Sequence, residues 1–127
     1  MNTDTRQDLI EGAKTARLLG CAIEVLNVLG HGFLEKVYEN ALCAEFARKK
    51  IPFEKQRRFP VLYKGRLIGE YIPDLLAMGI VVETKTVERL GESELGQMLN
   101  YLKITGCSVG LILNFRRQKL EWKRVVL

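Results

Sequence analysis

The chain has 127 residues, 47% of them hydrophobic and 28% charged, with twenty Lys and Arg against fifteen Asp and Glu and a net charge of +5. That size and balance predict one globular domain, 1–127, large enough for a real core. No apolar run approaches the length of a membrane span, and there is no internal repeat or low-complexity tract; the charge favours an anionic partner without requiring one.

Leu18, Leu19, Ala22, Ile23, Val25, Leu26 and Leu29 recur at helical spacing and predict a first helix over 5–29 with one buried side. Gly30-His31-Gly32 interrupts it, and a second amphipathic helix through Lys50 is expected to bury Phe33, Leu34, Val37, Leu42 and Phe46. The two glycines do not make a dinucleotide loop, because Glu35 stands where the third should be and a helix precedes them instead of a strand. Glu35 opens the second helix, where exposed amides favour a carboxylate. Gly32, Glu35 and Tyr38 follow at helical spacing along one flank, which can face a site. His31, the only histidine, reads as a surface turn residue rather than a ligand or base.

From Pro52 the pattern changes to strands. Segments 57–63 and 67–72 flank the turn Lys64-Gly65-Arg66 as a hairpin, and 80–87 is expected to lie beside them as a third strand. Lys55, Arg57, Arg58, Lys64 and Arg66 cluster here, either to contact phosphates or to keep an edge strand soluble.

The stretch 73–85 is the most informative. The run Gly79-Ile80-Val81-Val82 is apolar on both faces and predicts a strand covered on both sides, and Val81, Glu83 and Lys85 share one face of it. A return at Met78-Gly79 brings Asp74 back beside Glu83. Two carboxylates and an ammonium then converge, an arrangement suited to metal-assisted attack on a phosphodiester. Asp74 and Glu83 supply hard oxygen ligands for Mg²⁺ or Mn²⁺, the carbonyl of Thr84 is a further ligand, and Lys85 holds the attacking water or offsets charge on phosphate. The plainer alternatives are a wet-face Glu-x-Lys salt bridge and a Pro-Asp that only marks a turn. A covered strand closing on charges speaks for the site.

A third helix is predicted over 92–105, ending at Gly106, with Leu95, Met98, Leu99 and Leu102 as its core stripe. Gln97 and Tyr101 stand on its flank, able to orient a water, a ligand or a phosphate. Strands over 108–115 and 120–126 follow, joined by the basic turn Arg116-Arg117-Gln118-Lys119. Cys21, Cys43 and Cys107 lack the spacings of zinc or redox sites and read as buried thiols of a cytoplasmic protein; no targeting segment is visible.

The order helix, helix, three strands, helix, two strands, with Pro-Asp and Glu-x-Lys on the strands, resembles the PD-(D/E)xK nuclease superfamily, a restriction-endonuclease-like α/β fold with helices flanking a mixed sheet. More closely, Gly32-Phe33-Leu34-Glu35-Lys36-Val37-Tyr38 is similar to the motif that names the GxxExxY family assigned to it, and the likeness covers nearly the whole chain. The resemblance implies a metal-dependent deoxyribonuclease in which Asp74 and Glu83 bind Mg²⁺ or Mn²⁺, Lys85 is the catalytic lysine and Glu35 an accessory acid and further metal ligand. Gln97 and Tyr101 match the Gln-x-x-x-Tyr helix motif of the branch resembling recombination-repair exonucleases, where this helix borders the active site and touches DNA. Tyr38, Lys55, Arg57, Arg58, Arg116 and Arg117 are the expected nucleic-acid contacts, and a homodimer is expected because so small a chain has little surface to enclose a duplex. Asn27 departs from the pattern, which has histidine there. The same fold also hosts modules that only bind nucleic acid or protein, the alternative to an enzyme; a third reading makes these charges purely structural.

Overall fold

Leu18, Cys21, Ala22, Val25 and Leu26 fall at helical spacing and form the buried stripe of the first helix, α1 (Thr5–Leu29). The structure, a computed structural model, describes residues 5–127. The chain leaves α1 through Gly30 and Gly32, both with left-handed φ (78° and 111°), and enters α2 (Glu35–Arg48). This helix begins later than its apolar run predicts. Its phase is set by Tyr38, Leu42 and Phe46, each fully buried at a spacing of four, which leaves Phe33 and Leu34 outside the helix and exposed and Val37 at its edge. The expectation that those three would be core residues is corrected by that phase.

The short strands β1 (Phe53–Lys55) and β4 (Leu75–Ala77) were not foreseen. Between them lies the expected hairpin, β2 (Phe59–Tyr63) and β3 (Arg66–Tyr71), turning on Lys64-Gly65 with left-handed φ at both residues. Contrary to the expectation that it lies beside β5 (Ile80–Lys85), this hairpin forms a separate two-stranded ribbon. The edge of β5 is taken instead by β4, which pairs antiparallel with it across a second two-residue turn, Met78-Gly79, again left-handed at both positions. Three residues are too few for alternation to announce a strand; Pro73 and the Met-Gly turn bound it instead.

Beyond β5 the chain crosses through α3 (Glu92–Thr105) to β6 (Val109–Asn114), which pairs parallel with β5, and returns in β7 (Glu121–Val126), antiparallel to β6. The main sheet therefore has the order β1-β4-β5-β6-β7, a mixed α/β architecture. On one face Ile80, Val82, Leu111 and Leu113 pack against α1 and α2. On the other, Val81, Ile112 and Val125 pack against Met98 and Leu102 of α3. β5 and β6 are thus covered on both sides, as their continuous apolar runs require.

The α3 helix ends at Gly106 in left-handed conformation, as read from the sequence, and at its start the Glu94 carboxylate accepts the Gly91 amide at 2.8 Å. Leu99 lies outside the expected core stripe, and Tyr101 packs in its place. Gly110 lets α3 come close: a Cβ there would collide with Sδ of Met98. Of the cysteines, all free, only Cys21 is buried, which corrects the expectation for the other two. Among the described residues no helix is long and apolar enough to cross a membrane.

Candidate active site

The site is built where β5 outruns β4. In the β4–β5 hairpin Leu75 faces Val82, so the next residues outward, Asp74 and Glu83, meet at the open end. The peptide amide of Asp74 donates to Oε2 of Glu83 at 3.2 Å, while Oδ2 of Asp74 accepts from the amide of Thr84 at 2.8 Å and from its hydroxyl at 3.0 Å. These reciprocal bonds fix both carboxylates. In an extended strand the N–H and C=O of one residue leave on the same side, so the Thr84 carbonyl also points toward Asp74.

Glu83 is 8% exposed. Burial, and then the neighbouring charge of Asp74, push its carboxyl up from 4.5 to about 7, against the opposing pull of hydrogen bonds from Tyr71 and Asp74 and the charge of Lys85. The Tyr71 hydroxyl donates to Oε2 of Glu83 at 2.6 Å, and burial and that carboxylate hold the phenol well above its ordinary range. The Tyr71 ring stacks on Tyr101 of α3, centroids 3.9 Å apart and planes 11° from parallel. Lys85 follows on the same face of β5 and its Nζ donates to Oε1 of Gln97 at 3.5 Å. Asp74, Glu83, Thr84, Lys85, Gln97 and Tyr101 are therefore brought together.

Glu35 reaches the residue that follows β5 at this same end, where Oε2 accepts from the amide of Thr86 at 3.0 Å. Its motif partner Tyr38 has a different place. That side chain is fully buried and stacked on Phe115 at 4.6 Å; its hydroxyl donates to the Gly30 carbonyl at 2.7 Å and accepts the Phe33 amide at 3.1 Å. It pins the glycine turn, and the nucleic-acid contact expected of it is corrected by its lack of any exposed surface.

The basic residues lie at the surface with acids beside them. Arg57 pairs with Glu54 at 3.2 Å, Arg58 with Glu70 at 3.8 Å, and Arg116 and Arg117 with Glu88 at 3.8 and 3.1 Å, while Lys55 is exposed at the end of β1. Arg58 also lines a cleft of about 390 Å³ that opens beside Asp74, with Lys36 in the same wall. Asn27 lines a separate hollow with Leu120 and Trp122, whose walls include none of the candidate site residues.

The donor set suits a hard divalent cation. The hydrogen bonds fall on Oδ2 of Asp74 and Oε2 of Glu83, and Oδ1 and Oε1 carry none among the described residues. Two adjacent carboxylates, one of them buried and resisting ionisation, are relieved by a cation between them. Among the described residues no three His, Cys, Asp or Glu gather to hold a metal unaided; carboxylates completed by a carbonyl and waters are a magnesium-type set, unlike the nitrogen and sulfur cages of zinc. Sequence reasoning missed Tyr71 and the bracing of Asp74 by Thr84. Tyr71 ends the hairpin just before Pro73-Asp74, and only the position of the ribbon reveals its aim.

A mixed sheet between helical layers, with two carboxylates and a lysine where its central strand opens, defines the architecture of a nuclease-type α/β protein. The chain matches the family model of the PD-(D/E)XK nuclease superfamily over residues 13–125, a span that includes every residue of the site, and it belongs to that superfamily. Members typically hydrolyse phosphodiester bonds and generally use divalent metal ions. No curated protein and no solved structure matches the chain.

Proposed function

We propose that this protein is a GxxExxY-type deoxyribonuclease, a single cytoplasmic domain that hydrolyses phosphodiester bonds of DNA with Mg²⁺ or Mn²⁺. The observation that carries the reading is the convergence of Asp74, Glu83 and Lys85 at the open end of β5, with the carboxylates held by reciprocal bonds. A bound divalent cation supplies Lewis-acid polarisation of the phosphoryl group and an acidified water. Asp74 and Glu83 would hold it through the oxygens that their internal bonds leave over, with the Thr84 carbonyl beside them.

Lys85 acts on the substrate. As the water oxygen bonds to phosphorus and the bond to the leaving sugar oxygen breaks, its ammonium offsets the charge that grows on the phosphoryl oxygens. Gln97 accepts from Nζ at 3.5 Å and would bias the ammonium toward α3. Glu35, as the accessory acid, holds the Thr86 amide and so fixes the strand end that carries Lys85. In this reading Lys36 and Arg58, which line the cleft beside Asp74, would receive a neighbouring phosphate, and Lys55, Arg57, Arg116 and Arg117 would track the backbone further out. A homodimer belongs to this reading for the reason already given, the small surface of one chain.

The test is cleavage of linear, circular, single-stranded and branched DNA, and of RNA, by wild type and Lys85→Ala with Mg²⁺ or Mn²⁺. Cleavage of DNA that is lost in the mutant and in chelator is expected. No cleavage of any substrate, with DNA retained equally by both proteins, would replace the enzyme by a binding module on the same fold.

A further inference from the structure

Two residues of α3 one turn apart reach the two ends of the site by different routes. Gln97 touches Lys85 directly. Tyr101 has no hydrogen bond to either carboxylate; it lies flat against Tyr71. Tyr71 is the residue that meets the acid, through a hydroxyl bond of 2.6 Å to Oε2 of Glu83.

That bond decides which oxygen of Glu83 is left over. Oε2 accepts two donors, the Tyr71 hydroxyl and the Asp74 amide. A carboxylate held at one oxygen by two converging donors cannot rotate about its last torsion without breaking both, so Oε1 keeps a fixed direction. The Tyr71 ring in turn needs a support. The ribbon that carries it stands apart from the main sheet, and a two-stranded ribbon by itself is marginally stable. Its side chains Leu62, Leu67 and Ile68, toward the turn, are all more than half exposed, so little packing fixes that part of it. Beside the contacts that β2 makes with α3, the aromatic stack holds the Tyr71 end of the ribbon against the helix.

We propose that Tyr71 is a positioning residue for the metal site, holding Oε2 of Glu83 so that Oε1 is presented to the cation, and that Tyr101 acts in the site by holding the Tyr71 ring. The assignment rests on the metal reading of Asp74 and Glu83. It gives the tyrosine of the helix motif a mechanical part, with the contact to the reacting centre made by a residue of the ribbon.

The experiment is calorimetric titration of the full chain with Mn²⁺ at pH 8, beside thermal melts of the metal-free proteins. Tyr71→Phe keeps the stack and removes the hydroxyl; it is expected to weaken Mn²⁺ binding about tenfold, the scale of losing a residue that orients a ligand. Its metal-free melt should stay within a few degrees of wild type. Tyr101→Leu is expected to weaken binding as well, and Tyr101→Phe, which restores the stack, to recover it. A purely structural role predicts the opposite division, with lower melts and unchanged affinity. Tyr71→Phe binding within twofold of wild type, while Glu83→Gln does not bind, overturns the positioning role and leaves the metal site standing. Wild type that binds no Mn²⁺ overturns the metal reading and this inference with it.

Discussion

Titrating the metal-free protein from pH 4.5 to 8 perturbs Glu83 in a window where ordinary carboxylates are already ionised. Its carboxyl is pushed up from 4.5 to about 7, first by burial and then by Asp74. Below pH 4.5 the group is protonated in the folded and the unfolded chain alike. Between 4.5 and 7 the unfolded chain has released the proton and the folded chain still holds it, so stability falls as pH rises, by about 1.4 kcal/mol per unit. Above 7 both forms are ionised and the loss is complete, at about 3 kcal/mol across the gap between the two values. Other groups titrate in the same range, so the assay is the difference between wild type and Glu83→Gln in urea unfolding at each pH. Glutamine has nearly the same shape and can still accept the Tyr71 hydroxyl. The mutant should gain on wild type steadily from pH 4.5 and lead by its full margin above 7. Mn²⁺ should reverse the order above pH 7, because wild type then binds a ligand that the mutant cannot hold. Parallel stability curves for the two proteins would refute the argument, since they would mean that Glu83 ionises as freely folded as unfolded.

Two further outcomes follow from the packing. Gly110→Ala places a methyl group against the buried Met98 side chain and should destabilise the protein by about 1–3 kcal/mol as that side chain is displaced; a thermal melt measures it, and in a double-mutant cycle with Met98→Ala, which clears the space, the combined loss should be less than the sum of the two separate costs. Tyr38→Phe retains the stack on Phe115 but leaves the Gly30 carbonyl and the Phe33 amide without their partner, at a cost of about 1–3 kcal/mol in denaturant unfolding.

How much of this was legible in the sequence depends on where each signal is stored. Asp74, Glu83 and Lys85 could be read together because a two-residue Met-Gly turn fixes the register of the hairpin, and strand alternation then fixes the faces. The α3 helix could be read to its last residue because Gly106 ends it. The second helix could be read only in outline: Phe33, Leu34 and Val37 are as apolar as Leu42 and Phe46, and its phase is decided by contacts of Tyr38 with Phe115, far along the chain. The hairpin was visible as a hairpin, but nothing local says whether a hairpin joins the next strand. β4, three residues long, took that edge. Tyr71 was out of reach for the same reason, because its aim depends on where the ribbon stands.

The opposing demands on β5 explain why the site lies where it does. Ile80, Val81 and Val82 are buried between two helical layers and tie both cores to one strand, so the strand cannot shift. The same burial extends to Glu83, whose ionised form the fold resists. A charge held on so rigid an element keeps its direction, which a metal site requires, but without a counter-charge it destabilises the protein that carries it. The hydrogen bonds from Tyr71 and the Asp74 amide offset that penalty only in part, since the carboxyl is still pushed upward with them in place. On the proposed reading, a divalent cation between Asp74 and Glu83 would remove the remainder. Binding and stability would then be linked at this one strand end, and loading the site should raise the melting temperature of wild type far more than that of Asp74→Asn.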